Sequence, residues 1–143
     1  MLELIFSASR AGAEAFTSKQ PFAVVSITDP GSRPASLRQR NVVARCNLEF
    51  WDLYEPGDGR AVFDTTMARR VLDFVARDCA HATLLLVHCE AGISRSTGVA
   101  NALGRVTGIE VRHQHLLMLN PNPLVERILE EEARLRGGLA KPD

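Results

Sequence analysis

The chain has 143 residues, is 45% hydrophobic and 24% charged, and carries a formal net charge of zero. This is an ordinary globular balance, and the length fits one compact domain over residues 1–143 that can form a core without disulfides or metal. Zero net charge excludes a general electrostatic attraction to nucleic acid or anionic lipid, and no apolar run approaches the ~18 residues of a membrane span.

The amino terminus and the cysteines bear on the cellular location. The start, MLELIFSASRAG, has no basic leader and includes an acid at Glu3, so it does not resemble a secretory signal. The three cysteines are odd in number and lack paired spacing, which favours reduced thiols. We therefore expect a cytoplasmic protein with neither nucleic acid nor membrane as a partner, and we expect Cys46 and Cys79 to be small core residues.

The first half of the chain is rich in predicted strands. Short apolar or β-branched segments predict strands over residues 2–6, 22–27 and 42–50. One or two helical turns are expected within residues 11–18. A polar loop follows over residues 28–40, starting from the strong stop Thr28-Asp29-Pro30-Gly31.

The second half combines helices with one buried strand. Asp64 is a preferred N-cap residue and predicts a helix that extends to about Cys79. The continuous apolar run 84–87 is typical of a strand that is buried on both faces of a parallel sheet. Further helices are expected from about Ser94, over 111–118, and after the break at 120–123, the last with Leu135 facing inward.

This order of elements predicts an α/β fold, a central and mostly parallel sheet of four to five strands flanked by helices. Ligands of such sheets bind beyond the carboxyl ends of the strands. The segment that follows the run 84–87 is therefore the first place to look for a functional site.

That segment is His88-Cys89-Glu90-Ala91-Gly92-Ile93-Ser94-Arg95-Ser96, which we call the Cys89 loop. A loop between a buried strand and a helix start directs backbone N–H groups inward and forms an anion site, to which the helix dipole adds. Gly92 lets the loop curl without a Cβ clash. Arg95 can hold two phosphate oxygens at once and neutralise charge in the transition state.

The same donors favour the thiolate form of Cys89, which is the reactive nucleophile. A thiolate could form a covalent phosphocysteine, and Ser96 is positioned to hydrogen-bond the sulfur as it leaves. Phosphate-binding roles are expected for Glu90, Ala91, Gly92, Ile93, Ser94 and Arg95.

The run VHCEAGISRST resembles the signature loop of protein tyrosine phosphatases, most closely the dual-specificity-like branch and its compact bacterial members. The likeness extends over about residues 42–135, since Leu119-Asn120-Pro121-Asn122 before a helix is similar to a Pro-Asn turn of that branch. It implies that the fold is phosphotyrosine-phosphatase-like, that His88 orders the loop and that Asn122 braces it. It also implies phosphomonoester hydrolysis through a phosphocysteine, with no cofactor and no metal.

Members of that family use an Asp on a mobile loop as the general acid, and two residues compete for this role. Asp52 directly follows the strand 42–50, whereas Asp58 lies in the turn Pro56-Gly57-Asp58-Gly59. The usual separation from the cysteine favours Asp58. The position just after a strand favours Asp52, which we take as the first choice with Asp58 as the alternative.

The Cys89 loop contains no Lys, and Glu90 is acidic, which disfavours highly anionic phosphoinositides. The expected substrate is a phosphorylated protein, with phosphotyrosine first and phosphoserine or phosphothreonine as alternatives, or a small phosphomonoester. Two other functions stay open. One is a non-catalytic phosphate-binding module, and the other is a rhodanese-like sulfurtransferase or an arsenate reductase.

The remaining histidines and the early arginines show weaker signals. His81, His113 and His115 form no metal-ligand pattern and are expected to be structural or surface residues. The arginines at positions 33, 38, 40 and 45 could steer an anionic substrate, although solvated loop charge is the preferred interpretation.

Overall fold

The computed structural model describes residues 1–38 and 40–139. This part of the chain contains five strands and four α-helices. In chain order they are β1 (Leu4–Ala8), α1 (Arg10–Ala15), β2 (Phe22–Thr28), β3 (Val42–Glu49), α2 (Thr65–Asp73), β4 (Leu84–His88), α3 (Arg95–Thr107), β5 (Glu110–His113) and α4 (Pro123–Leu135). A single π-helical turn, Phe74–Asp78, continues α2.

The strands form one sheet in the order β3-β2-β4-β1-β5, and every pairing in it is parallel. The predicted single-domain α/β fold is therefore confirmed, with five strands. Strand β4 lies between β2 and β1, so that His88 pairs with Ser26 on one side and Ala8 on the other. The Cys89 loop thus leaves the carboxyl end of a central strand, where open α/β sheets bind ligands.

The two faces of the sheet are covered by different elements. Apolar residues of α2, α3 and α4 pack with Val25, Ile27 and Val87 into the larger core. A smaller cluster on the opposite face joins α1 and the loop after β2 to Val24 and Leu86. Because the chain leaves β1 toward one face and β4 toward the other, a crevice opens between their carboxyl ends.

The ends of α2 and α3 depend on the residues available to cap the backbone groups there. Asp64 caps α2, its Oδ1 accepting the Met67 N–H at 2.8 Å, as expected. Helix α3 begins after Ser94, whose side chain makes no capping bond to the first N–H groups of the helix. It ends at Gly108, whose φ of 76° is the left-handed conformation that closes helices.

Two sequence predictions are wrong. Residues 111–118 do not form a helix, because Val111 pairs with Ile5 at the edge of the sheet and residues 114–119 turn away as a loop. Leu135 is not inward, since 68% of it is exposed at the last turn of α4. Within residues 1–38 and 40–139, no helix is both long and apolar enough to cross a bilayer.

Candidate active site

The Cys89 loop packs tightly against the junction of β1 and α1. Gly92 has φ +74°, and a Cβ on it would lie 2.5 Å from the Ser9 nitrogen and 2.7 Å from the Ala8 carbonyl carbon. Real Cβ atoms do not approach backbone so closely, so only glycine fits this curl. The loop is also joined to β1 by the Cys89 N–H, which donates to the Ala8 carbonyl at 3.3 Å.

The Cys89 sulfur lies at the floor of this curl and is surrounded by donors. The side chain is 2% exposed, and the Gly92 N–H donates to Sγ at 3.2 Å. The Ser96 hydroxyl lies 3.2 Å from the sulfur on the first turn of α3. The Cys89 sulfur therefore has two hydrogen-bonding partners and lies at the amino-terminal end of α3.

Arg95 is buried beside the sulfur and is fixed from one side. One guanidinium nitrogen, Nη1, donates to Asp29 Oδ1 and to the Phe50 carbonyl, each at 2.7 Å. Among the described residues, none accepts from Nε or Nη2. The guanidinium is therefore aligned by its Nη1 corner and keeps an edge free for two oxygens of an oxyanion.

Asp29 is a site residue that sequence reasoning missed, since the run Thr28–Gly31 indicated only the end of a strand. Its position at the carboxyl end of β2 was the available signal, because that end adjoins β4 in the sheet. The resulting ion pair joins an Arg95 side chain that is 7% exposed to a carboxylate that is 39% exposed.

The two candidate acids have very different surroundings. Asp52 accepts through Oδ1 from the Ser94 hydroxyl at 2.7 Å and from Asn122 Nδ2 at 2.8 Å. No described residue donates to its other oxygen, Oδ2. Asp58 lies in an open turn with φ 58°, its side chain is 85% exposed, and its partner there is Arg60. Only Asp52 contacts the Cys89 loop.

The loop that carries Asp52, residues 51–62, is fixed at its base by a backbone hydrogen bond and an aromatic contact. The Trp51 N–H donates to the Ala61 carbonyl at 2.8 Å, which closes the loop at its base. Phe50 and Phe63, both buried, meet edge to face with 5.3 Å between ring centroids. These contacts hold Asp52 at the cleft, while residues 54–61 extend into solvent with the exposed turn.

Asn122 links three segments from a fully buried position. Its Oδ1 caps α4 by accepting the Leu124 and Val125 N–H groups at 2.9 and 3.2 Å. Its Nδ2 donates to Asp52 and to the Leu53 carbonyl, and its backbone N–H donates to the Ser94 carbonyl at 2.9 Å. Asn122 therefore contacts both the Cys89 loop and Asp52, which is more than the bracing of the loop that the resemblance implied.

The outward-facing carbonyls of the Cys89 loop are hydrogen-bonded as well. The Arg10 N–H donates to the Glu90 carbonyl at 3.1 Å, and the Asn120 N–H donates to the Ile93 carbonyl at 3.0 Å. The His115 ring lies 3.1 Å from the Ala91 carbonyl through Nε2. With its carbonyls turned outward and bonded, the loop is held in the conformation that directs N–H groups inward.

His88 supports the loop as a neutral, buried ring. Its Nδ1 lies 3.1 Å from the Cys89 carbonyl, which can only accept, so Nδ1 carries the proton. Its Nε2 lies 2.6 Å from Ser26 Oγ, which in turn accepts from Arg45 Nη2 at 3.2 Å. Burial lowers the pKa of His88, and the Arg45 charge adds to this, although the Cys89 carbonyl opposes it.

The side chain of Glu90 turns away from the anion-binding curl. Its carboxylate pairs with Arg10 Nη1 at 3.3 Å, and the same Nη1 lies 3.3 Å from Ser32 Oγ. The neighbouring Nη2 of Arg10 donates to the Pro34 carbonyl at 3.1 Å. Arg10 therefore ties the loop after β2 to the Cys89 loop, a role that the sequence did not indicate.

Together these residues line a cleft of about 250 Å³. Its floor is the Cys89 loop with Arg95, and its walls are Asp52, Tyr54 and Asn120. The Asn120 Nδ2 donates to the Tyr54 hydroxyl at 3.0 Å, which joins the walls across the opening. The volume suits a phosphate group and part of the alcohol that carries it.

The other predicted residues lie away from this chemistry. Burial raises the pKa of the Cys79 thiol to about 12 and also raises that of Cys46, so both are poor nucleophiles in the core. His113 is half-buried, with Nδ1 2.5 Å from Ser7 Oγ, and burial lowers its pKa. Of the four early arginines, Arg45 packs inward, and the other three are exposed.

The site combines a buried sulfur, a guanidinium fixed at one corner, a hydroxyl at the sulfur and a carboxylate at the cleft. Within the described residues, no group of three His, Cys, Asp or Glu side chains could hold a metal ion. No protein-family model matches the chain, and no curated protein matches it either. The interpretation of the site therefore depends on its geometry and on the sequence of the Cys89 loop.

Proposed function

We propose that this protein is a cysteine-dependent phosphatase that hydrolyses protein phosphotyrosine, with phosphoserine and phosphothreonine as further substrates. The observation that carries the proposal is the Cys89 sulfur, 3.2 Å from both the Gly92 nitrogen and Ser96 Oγ at the start of α3. The likeness of VHCEAGISRST to the signature loop of protein tyrosine phosphatases supports the same reaction.

In the first step, the Cys89 thiolate attacks phosphorus and the bond from phosphorus to the ester oxygen breaks. Arg95 and the inward N–H groups hold the phosphoryl oxygens and neutralise their growing charge. Asp52, protonated on Oδ2, donates its proton to the leaving oxygen. The products are an alcohol or phenol and a phosphocysteine.

In the second step, water attacks the phosphocysteine and the bond from sulfur to phosphorus breaks. The Asp52 carboxylate now accepts a proton from that water, which returns the acid to its starting form. The Ser96 hydroxyl donates to the departing sulfur, so that the thiolate leaves more easily. Inorganic phosphate is released and Cys89 is regenerated.

The competing proposal is a phosphate-binding module without catalysis. The Asp52 carboxylate favours the phosphatase, because a module that only binds has no need of an acid with an unpartnered oxygen at the cleft. A negatively charged group near a phosphate dianion weakens binding, and its presence makes sense when it transfers a proton.

The first experiment compares the wild type with Cys89→Ser on p-nitrophenyl phosphate and on a phosphotyrosyl peptide. We expect metal-independent turnover that disappears in the variant, while vanadate binds the wild type. The turnover of Arg95→Lys should also be lower than that of the wild type by orders of magnitude, since an ammonium group cannot make the two-point contact with phosphate. Vanadate binding without turnover by the wild type would favour the binding module instead.

The second experiment identifies the acid with a matched pair of variants. Asp52→Asn should lower kcat on phosphotyrosine by about 10²–10⁴, the usual contribution of a general acid. Its effect on p-nitrophenyl phosphate should be smaller, because that leaving phenol is more acidic. Asp58→Asn, in the exposed turn, should retain wild-type rates on both substrates. The reverse result would transfer the role to Asp58.

A further inference from the structure

Three large apolar side chains stand in solvent beside the cleft. Leu116, Leu117 and Met118, which we call the apolar tip, are 86%, 81% and 86% exposed. Met118 has φ 63°, a left-handed conformation that a non-glycine residue rarely adopts. Exposing three adjacent apolar side chains to water is unfavourable, and the Met118 backbone adds strain. Such a group is typical of a contact surface, whereas single exposed leucines are common on any protein.

The apolar tip is anchored to the catalytic cleft at both of its ends. Before it, the Gln114 N–H donates to the Ser7 carbonyl at 2.8 Å, and His115 contacts the Ala91 carbonyl. After it, Asn120 donates to the Ile93 carbonyl and to the Tyr54 hydroxyl. On each side of the tip one of these contacts reaches a residue that lines the cleft, Ala91 before it and Ile93 and Tyr54 after it, so the tip forms part of the rim.

The charges around the apolar tip distinguish between its possible partners. The sequence from His113 to Val125 contains no Lys, Arg, Asp or Glu. Attachment to an anionic membrane surface ordinarily combines apolar residues with several cations, which are missing from this segment. An uncharged apolar surface continuous with a phosphate cleft instead suits the residues that flank a phosphorylated side chain in a protein.

We propose that the apolar tip binds large apolar side chains adjacent to phosphotyrosine, and so selects protein substrates with such neighbours. This inference rests on the proposed phosphatase function. The phosphate would enter the Cys89 loop, the phenol would pass Tyr54 and Asn120, and a neighbouring Leu, Met or Phe of the substrate would pack on Leu116 and Leu117. Removal of apolar surface from water supplies the affinity.

The test uses two phosphotyrosyl peptides that differ only in their flanking residues, leucine in one and serine in the other. We expect the wild type to prefer the leucine peptide by about tenfold or more in kcat/KM, as burial of one leucine allows. In the double variant Leu116→Ser/Leu117→Ser the preference should vanish, while p-nitrophenyl phosphate turnover is unchanged. Leu135→Ser, an exposed leucine on α4, is the matched control and should keep the preference.

Binding of both peptides to Cys89→Ser, followed by fluorescence anisotropy, separates this inference from the proposed function. If the wild type has no turnover but Cys89→Ser still prefers the leucine peptide, the docking proposal stands and the phosphatase proposal fails. Equal rates and equal binding for the two peptides would overturn the docking proposal. A second result would also overturn it. In that case the two peptides behave equally, and the protein needs the apolar tip to sediment with phosphatidylcholine–phosphatidylserine vesicles or to form a dimer.

Discussion

Replacement of Asn122 by alanine should lower both the stability of the fold and the proposed catalysis, because this side chain caps α4 and contacts Asp52. The variant loses the cap of α4, worth about 1 kcal/mol. It also leaves the Leu53 carbonyl and Asp52 Oδ1 without the Nδ2 donor, at about 1 kcal/mol for each lost bond. Because the Asn122 side chain is fully buried, we expect these three losses together to lower the free energy of unfolding by about 3 kcal/mol.

The catalytic effect of the same variant follows from Asp52. Without Nδ2, Asp52 keeps only the Ser94 hydroxyl as a described donor, so the carboxylate samples positions from which it cannot protonate the leaving oxygen. We expect kcat on phosphotyrosine to fall by about tenfold or more, within the range that a general acid contributes. The assay is steady-state hydrolysis at a temperature where urea titration shows the variant fully folded.

Asn122→Ser provides the control, because a serine hydroxyl still caps a helix but has no amide to reach Asp52. It should recover about 1 kcal/mol of stability relative to Asn122→Ala and recover little of kcat. Full turnover in Asn122→Ser would refute the reasoning, since Asp52 would then be positioned without Nδ2. Unchanged stability in Asn122→Ala would refute the structural account of the cap.

Three further predictions concern the Cys89 loop and its supports. Gly92→Ala should abolish measurable vanadate binding, because its Cβ would meet backbone at 2.5 Å, whereas Gly31→Ala, with φ +81° and nothing within 4 Å, should bind normally despite its strain. Asp29→Ala should lower kcat/KM by about tenfold, since Arg95 loses an anchor at 2.7 Å; a gain in phosphate affinity would instead mean that the carboxylate competes with the ligand. Burial lowers the pKa of His88 in the folded protein. As the pH falls, the unfolded chain therefore binds a proton at this residue before the folded protein does. The free energy of unfolding should accordingly decrease below about pH 6.5, by up to about 1.4 kcal/mol per pH unit. Urea titrations between about pH 7.5 and 5.5 measure this slope, and an equal slope in His88→Asn would contradict it.

The Cys89 loop and the fold class could be predicted from sequence because their signals are local. The apolar run before Cys89 indicates a buried strand, and Gly92 and Arg95 lie within six residues of the sulfur. The α/β class follows from the mixture of strands and helices along the chain, and the apolar run 84–87 is typical of a strand buried in a parallel sheet. The failure over residues 111–118 has a different origin, since β5 is a strand only because an unpaired edge of β1 is available to it.

The sequence favoured Asp52 over Asp58 only weakly, because both follow the same strand and both belong to one loop. What separates them is the contact with Asn122, which lies 70 positions away from Asp52 in the chain. Asp29 escaped notice for the same reason, as its partner Arg95 is 66 positions distant. Such pairs depend on the order of strands in the sheet, which no local pattern encodes.

The same division explains why the supports of the Cys89 loop carry no motif of their own. An anion-binding curl needs inward N–H groups, and these are set by the residue types within the loop. Turning the N–H groups inward turns the carbonyls outward, where they must find donors or lose stability. Backbone N–H groups serve for this purpose, and every residue except proline has one, so almost any sequence satisfies the need. Besides the Thr97 hydroxyl and the His88 ring, donors from other segments of the described chain are the backbone N–H groups of Arg10, Asn120 and Asn122 and the His115 ring. Two of these residues, His115 and Asn120, also enclose the apolar tip, so the segment that stabilises the loop is free to vary between its anchors. On the proposed function, substrate preference could therefore change at residues 116–118 without disturbing the Cys89 loop.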